Sequence, residues 1–380
     1  MQPRFGIRAF LFAFAFPFLF SCDQDKADNG KYLMEFKLQE PFQQKIKLSE
    51  LISIEKTLVI DSNGFLDFGE VSSIQKLGDH FVVHNAFPQT VSILDLSGKV
   101  IKQIAPDYQL KQISEVSVVD DQVIVLDRGA QTLHFYDKDL NLSKQVKIPV
   151  LAQSIKFIDP QTIALYVGNE MTELSKGKLL IYDLETQKIT QDLFPISEKQ
   201  GKYFNFLTQH HFVNAGGKVV FWDSAMDQMY HVDKDAAKPL YQLDYGSSKL
   251  PAGYYESLAF DNAAEFLQSM RATSYAFRHF MVLANERFML IHYEKSGEFL
   301  TSLVDLKDGK TKNFTHFEDD VMGLERLSEV KLSFFAGFFE QDKFVGFIPA
   351  EILDGADLKG DELINAKENK KNVIVIGTLK

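Results

Sequence analysis

Residues 74–83 read IQKLGDHFVV, residues 116–125 read VSVVDDQVIV and residues 155–164 read IKFIDPQTIA. In each, a run rich in β-branched and aromatic side chains meets a short turn, with Asp79, Asp121 and Pro160 at the matching place, and a second run returns. That pattern is a hairpin. A third strand follows every time, in VSILDLSGKVI from Val91, LHFYDKDLNLS from Leu133 and LLIYDLETQKI from Leu179. Its aspartates set the period: Asp95 to Asp137 is 42 residues and Asp137 to Asp183 is 46. Such spacing fits a four-stranded propeller blade and not a helical or leucine-rich solenoid. One blade cannot bury both of its faces, so neighbouring blades must pack around an axis to supply the core.

Outward from these three units the repeat loosens but stays legible. Phe206 to Gly246 contains FVNAGGKVVFWD and MYHVD, with His231 at the place of the earlier aspartates, and Phe277 to Phe314 contains FMVLANERFMLIHY and LTSLVDLKDGKTKNF. Lys331 to Ile348 (KLSFFAGFFEQDKFVGFI) needs another strand, which Asn372 to Leu379 (NVIVIGTL) can supply. Thr57 to Asp61 (TLVID) precedes the first unit and is expected to join the last blade, leaving no sheet edge open. The expected fold is therefore all-β, a six-bladed β-propeller. Asn262 to Arg271 (NAAEFLQSMR) breaks the pattern: Phe266, Leu267 and Met270 share one side of a helix, and Asn262 with Glu265 has capping-box spacing. This short insertion between blades 4 and 5 either covers one mouth of the ring or braces its side. Asp354 to Lys371 is charged and glycine-containing, and reads as a mobile loop.

The N-terminus has its own logic. Arg4 and Arg8 precede the apolar run Ala9 to Phe20, which has the length of a signal-peptide core and is too short to span a bilayer. It ends in Leu19-Phe20-Ser21-Cys22, and Cys22 is the only cysteine. The expected organisation is a lipoprotein signal peptide at 1–21, lipid on Cys22, an acidic tether at 22–31 and a single propeller domain at 32–380. Removing 1–21 deletes two arginines and no acid, taking the formal charge from −11 to −13. A surface so acidic argues against a nucleic-acid partner, and the one cysteine, once acylated, leaves no disulfide.

Taken in order, several segments resemble the six-bladed β-propeller lipoproteins of Bacteroidetes, a family distantly similar to NHL-repeat propellers. They are the phenylalanine-rich signal ending in Ser21-Cys22, IKLSELISIEKTLVIDS at Ile46 to Ser62, the DLSGKVI unit, GFFEQDKFVGFIPAEIL and the terminal KKNVIVIGTLK. Many relatives carry a glycine-rich stretch where this chain has Gln103-Ile104-Ala105-Pro106-Asp107-Tyr108. The resemblance implies the fold and a cell-envelope location, lipid-anchored at the outer membrane, and transfers no catalytic residue. The tether Asp23-Gln24-Asp25-Lys26-Ala27-Asp28 is either a plain linker or, by resemblance to surface-export signals of that phylum, an address to the cell surface.

Motifs for chemistry are absent: no HExxH, no GxSxG, no GxxxxGK, and no cofactor fingerprint. Asp137-Lys138-Asp139-Leu140-Asn141 begins like a calcium loop, but Leu142 stands where glycine is needed and Ile148 where glutamate is needed. His210-His211 could ligate a metal only if adjacent strand residues faced the same way, which they do not. Asp223-Ser224-Ala225 reads as a turn, or as a short O-glycosylation sequon. With 34 phenylalanines against one tryptophan, the aromatic content points to packed blades rather than a sugar platform, apart from Tyr254-Tyr255 beside the insertion. Aligning the hairpins places Ser73, Glu115, Ser154, His211, His279 and Lys331 just before the first apolar position of each innermost strand. These six are expected to ring one mouth of the channel, as a ligand site or as a hydrated entrance. The expected role is a binding or scaffold protein for a partner protein or a small molecule; the alternative is a lactonase-, lyase- or peptidase-like propeller with catalytic groups drawn from several blades.

Overall fold

Two consecutive residues of one strand explain the architecture. Val82 packs into a cluster with Val116 and Val123, whereas Val83 packs into a different one with Leu58, Val345 and Ile374. Successive side chains of a strand point to opposite faces, and here both faces are covered, so the strand reads as continuously apolar rather than alternating. Ile124 and Val125 divide in the same way, as do Ala164 and Leu165. Six apolar wedges result, each shared by two neighbouring blades.

The computed structural model describes residues 34–380 apart from 40–41, 108–109, 170, 197–209, 224–225, 252, 258–261 and 328–333, and without the side chains of 255, 256, 263, 278 and 280. Cys22, the signal segment, the tether and Lys331 lie outside the described residues. Three N-terminal strands come first: β1 (Met34–Lys37), β2 (Gln43–Lys47) and, after the short helix α1 (Leu48–Leu51), β3 (Ile52–Val59). Blade 1 is β4 (Glu70–Leu77), β5 (His80–Phe87), β6 (Thr90–Leu94) and β7 (Val100–Ile104). Blade 2 is β8 (Ile113–Val119), β9 (Gln122–Asp127), β10 (Thr132–Tyr136) and β11 (Leu142–Lys147). Blade 3 is β12 (Ser154–Phe157), β13 (Thr162–Tyr166), β14 (Gly177–Asp183) and β15 (Lys188–Pro195). Blade 4 is β16 (Phe212–Ala215), β17 (Lys218–Phe221), β18 (Gln228–Val232) and β19 (Ala237–Asp244). Helices α2 (Tyr254–Ser257) and α3 (Ala263–Arg271) lead to blade 5, β20 (Ala276–Ala284), β21 (Phe288–Lys295), β22 (Glu298–Asp305) and β23 (Thr311–Glu318). Blade 6 begins with β24 (Phe335–Phe339) and β25 (Lys343–Ile348), continues through α4 (Asp361–Glu368) and ends with β26 (Val373–Leu379). Each innermost strand touches the next, and β24 touches β4, so the ring closes. Among the described residues no helix is long and apolar enough to cross a membrane.

Closure uses the chain's two ends. β3 pairs antiparallel with β26, Val59 opposite Val373 and Ile52 opposite Leu379, and so completes blade 6 as the sequence led one to expect. Asp61 does not continue that pairing; it bridges to Lys99 of blade 1. β1 and β2 add parallel fifth strands to blades 4 and 5, which the hairpin periodicity did not anticipate. β1 is held by Phe36, fully buried and stacked on Tyr241 at 4.8 Å between ring centroids.

The aspartates that marked the period are Asx turns between third and fourth strands. Asp95 Oδ1 accepts from Ser97 N at 2.8 Å, Asp137 Oδ1 from Asp139 N at 2.9 Å and Asp183 Oδ1 from Thr186 N at 2.7 Å. In blade 4 that role belongs to Asp233, whose Oδ1 accepts from Ala236 N at 2.8 Å, and not to His231. His231 lies inside β18, paired with Val220 and Lys238.

Asp354 to Lys371 is not simply a loop. Its centre is α4, whose Leu363 and Ala366, three residues apart on one face, are buried in the wedge between blades 5 and 6. The insertion before blade 5 braces the ring. Asn262 caps α3 by accepting from Glu265 N at 3.0 Å, Phe266 and Met270 bury against Phe277, and Arg271 Nε reaches the fully buried Glu294 at 2.5 Å.

Candidate functional site

In an antiparallel blade, the connection entering the innermost strand and the turn between second and third strands lie at the same end. Those ends together form the mouth predicted from the sequence. The innermost strands also leave a backbone edge facing the axis, whose donors and acceptors need partners. Side chains from neighbouring blades provide them. The Gln75 amide donates to Val116 O at 2.7 Å and accepts from Val118 N at 3.0 Å, joining β4 to β8. Glu115 Oε2 accepts from Ile155 N at 2.6 Å, joining β8 to β12.

His210 does something different. It precedes β16 in blade 4 yet contacts blades 1 and 2, with Nδ1 3.5 Å from Glu115 Oε1 and Nε2 3.4 Å from Ser72 O. The imidazole thus spans the axis. Around it lies a cavity of about 170 Å³ with an uneven wall. Blades 1 to 4 contribute the polar Ser73, Gln75, Glu115, Ser117, Lys156, His210 and Asn214 beside the apolar Ile74, Val116, Phe212 and Val213; blades 5 and 6 contribute the apolar Val282, Leu283, Ala336 and Phe338. Burial pushes the Lys156 amine below the usual lysine range, against the opposing effect of the Glu115 carboxylate. Ser73 Oγ is buried with no hydrogen-bond partner among the described residues. Its cross-strand neighbour His84 is 3% exposed and has neither ring nitrogen partnered among the described residues; burial, and then the nearby His210, push its pKa down to about 3.

Of the six residues expected at the mouth, Ser73 and Glu115 line this cavity. Ser154 shares their register, opposite Tyr166, but is buried away from it. His211 is buried between blades 3 and 4, stacked on Tyr166 at 3.7 Å and on Trp222 at 5.3 Å. Its Nδ1 lies 3.2 Å from Trp222 O, and burial pushes its pKa down to about 4. His279 is buried between blades 4 and 5, against Trp222, and its Nε2 meets the Tyr245 hydroxyl. Of the five described members, then, Ser73 and Glu115 reach the cavity and Ser154, His211 and His279 do not: strand register fixes the level of a residue along the axis, while the side chain turns inward or into a wedge. Among the described residues no three His, Cys, Asp or Glu side chains gather as metal ligands, and His210 and His211 keep separate company.

Gln75, Ser117 and Lys156 were missed, and His210 was weighed only as a metal ligand. The first three stand two residues beyond Ser73, Glu115 and Ser154, each a polar residue inside an otherwise apolar innermost strand. That signal was present in the quoted hairpins. Near the insertion, Tyr254 packs edge-on to Tyr275 at 5.2 Å, while the Tyr255 side chain and residues 224–225 of the Asp223-Ser224-Ala225 motif lie outside the described residues. Asp223 itself is buried, accepting from the Tyr166 hydroxyl at 2.8 Å and from Lys178 Nζ at 3.3 Å.

A six-bladed propeller with a polar-and-apolar axial cavity is thus the class that fold and site define. The chain belongs to the family described as domain of unknown function DUF4934, whose model matches residues 35–378. Among solved structures it is similar to a Bacteroides fragilis protein inferred to be exported, with 14% identity and a TM-score of 0.74 over 92% of this chain and 100% of that one. A DUF4221-family member from Bacteroides vulgatus is 12% identical, with a TM-score of 0.49 over 88% and 99% of the two chains. Virginiamycin B lyase from Staphylococcus aureus is 11% identical, with a TM-score of 0.40 over 70% and 74%. No curated protein matches the sequence.

Proposed function

We propose that this chain is an exported binding propeller, anchored to the outer membrane by lipid on Cys22, that receives a ligand or partner at the mouth leading to the axial cavity. The observation that carries the reading is the convergence of Glu115, Lys156 and His210, from three separate blades, on one partly open cavity. Concave sites with a few convergent polar groups and an apolar wall are what small-molecule binding needs. The two faces of the ring also differ. Connections at the mouth expose Phe65, Leu66, Phe87, Leu151, Met171 and Leu174. The opposite face carries the aspartate turns at Asp95, Asp137, Asp183 and Asp233. Export is supported by the apolar segment ending at Ser21-Cys22 and by the Bacteroides fragilis neighbour, itself described as exported.

Two measurements test this. Cys22→Ser should move the protein from the membrane fraction to the soluble one; unchanged partitioning would refute the lipid anchor. A thermal-shift panel of metabolites, peptides and glycans should yield a stabilising ligand whose effect is lost in the Glu115→Gln, His210→Phe double variant. Stabilisation that survives the double variant would place the site elsewhere.

A further inference from the structure

Resting on the axial cavity as the ligand site, we propose that it takes a short aliphatic carboxylate, its charge set against the Lys156 ammonium, its oxygens accepting from Lys156 and Ser73, and its alkyl part lying along blades 5 and 6.

Hydrogen-bond accounting leads there. Glu115 is engaged at both oxygens, by Ile155 N and by His210, and the Gln75 amide is consumed by Val116 and Val118. Two groups in the wall bear on a ligand. The Lys156 ammonium has a through-space charge interaction with the Glu115 carboxylate, and Ser73 Oγ, on a residue only 7% exposed, is buried with no hydrogen-bond partner among the described residues. An ammonium offers donors only, and the hydroxyl can donate, so what the cavity lacks is an acceptor. A buried donor left unmatched is costly, so a ligand carboxylate would accept from the Ser73 hydroxyl and set its charge against the Lys156 ammonium.

Ser73 and Lys156 both line the one cavity. Among the described residues, the charged and titratable ones lining the cavity are Glu115, Lys156 and His210. On the side of blades 5 and 6, Val282, Leu283, Ala336 and Phe338 present hydrocarbon. At about 170 Å³, and partly open to solvent, the space admits a ligand of a few carbons.

The test is calorimetric titration of the mature, full-length protein with sodium butyrate, with butylamine as the opposite-charge probe of the same shape. Saturable binding of butyrate and none of butylamine is expected. Lys156→Met should weaken butyrate roughly tenfold or more, the loss of a charge-assisted hydrogen bond, whereas Lys156→Arg should retain most of it. Should Lys156→Met melt far below the parent, Ser73→Ala serves as the second variant, with a smaller loss expected. Absence of butyrate binding, or equal affinity in Lys156→Met and Ser73→Ala, overturns the proposal. Butylamine binding alone overturns the carboxylate while leaving the cavity as the site.

Discussion

His210 Nδ1 lies 3.5 Å from Glu115 Oε1, a contact that joins blade 4 to blade 2 across the axis of the ring. The same carboxylate holds Ile155 N of blade 3 at 2.6 Å, so one buried side chain ties three blades together. The residues that shape the cavity therefore also hold its wall in place.

Glu115→Ala leaves the Ile155 N–H buried without its acceptor and is expected to cost about 1–3 kcal/mol in urea unfolding. Glu115→Gln keeps an acceptor oxygen and should cost less. Equal losses for the two would mean that Ile155 N finds another partner.

His84 and His211 are held neutral by burial, at about 3 and about 4 against an ordinary 6.5. Both groups have depressed folded pKa values, so the unfolded chain takes up the protons. Stability is then full above pH 6.5 and falls as pH drops toward 4, on the order of 3 kcal/mol for each histidine at ~1.4 kcal/mol per unit. Blade 2 carries Leu126 opposite Glu115 where blade 1 carries His84 opposite Ser73. His84→Leu should consequently match or exceed the parent's melting temperature at pH 8 and widen its advantage at pH 5. A variant that loses stability equally at both pH values would contradict the account of His84.

Deleting residues 32–61 removes β3 and leaves β26 as an unpaired edge, so the truncated chain is expected to aggregate. Deleting 23–30 should leave the melting temperature unchanged. Equal melting temperatures for the two truncations would show that β3 contributes nothing to closure.

The fold was legible because its turns are local. Asp79, Asp121 and Pro160 announce hairpins, and the Asx-turn aspartates announce the third strand in blades 1 to 3. In blades 1 to 3 the register shift of the third strand falls just before Leu94, Tyr136 and Tyr182, next to the marking aspartate, whereas in blade 4 it falls before Tyr230, so the matching place is His231 and the turn aspartate is Asp233. β1 and β2 escaped notice because they pair in parallel with strands some 200 and 270 residues away, and no local turn signals such contacts. The site was half legible. Register places Ser73, Glu115 and Ser154 at one level, opposite His84, Leu126 and Tyr166 on the second strands. Which way a side chain turns depends on the neighbouring blade: Ser154 and His211 sink into wedges, while Lys156 and His210 reach the axis.

The central claim is that the axial cavity is where a ligand sits. An experimental structure of the protein crystallised with butyrate, or with the best stabiliser from the thermal-shift panel, tests it most directly. The account predicts ligand density against Lys156, Ser73 and His210, with Val282 and Ala336 along its apolar side. Density confined to the outer surface of the blades, with the cavity holding only water, would contradict it.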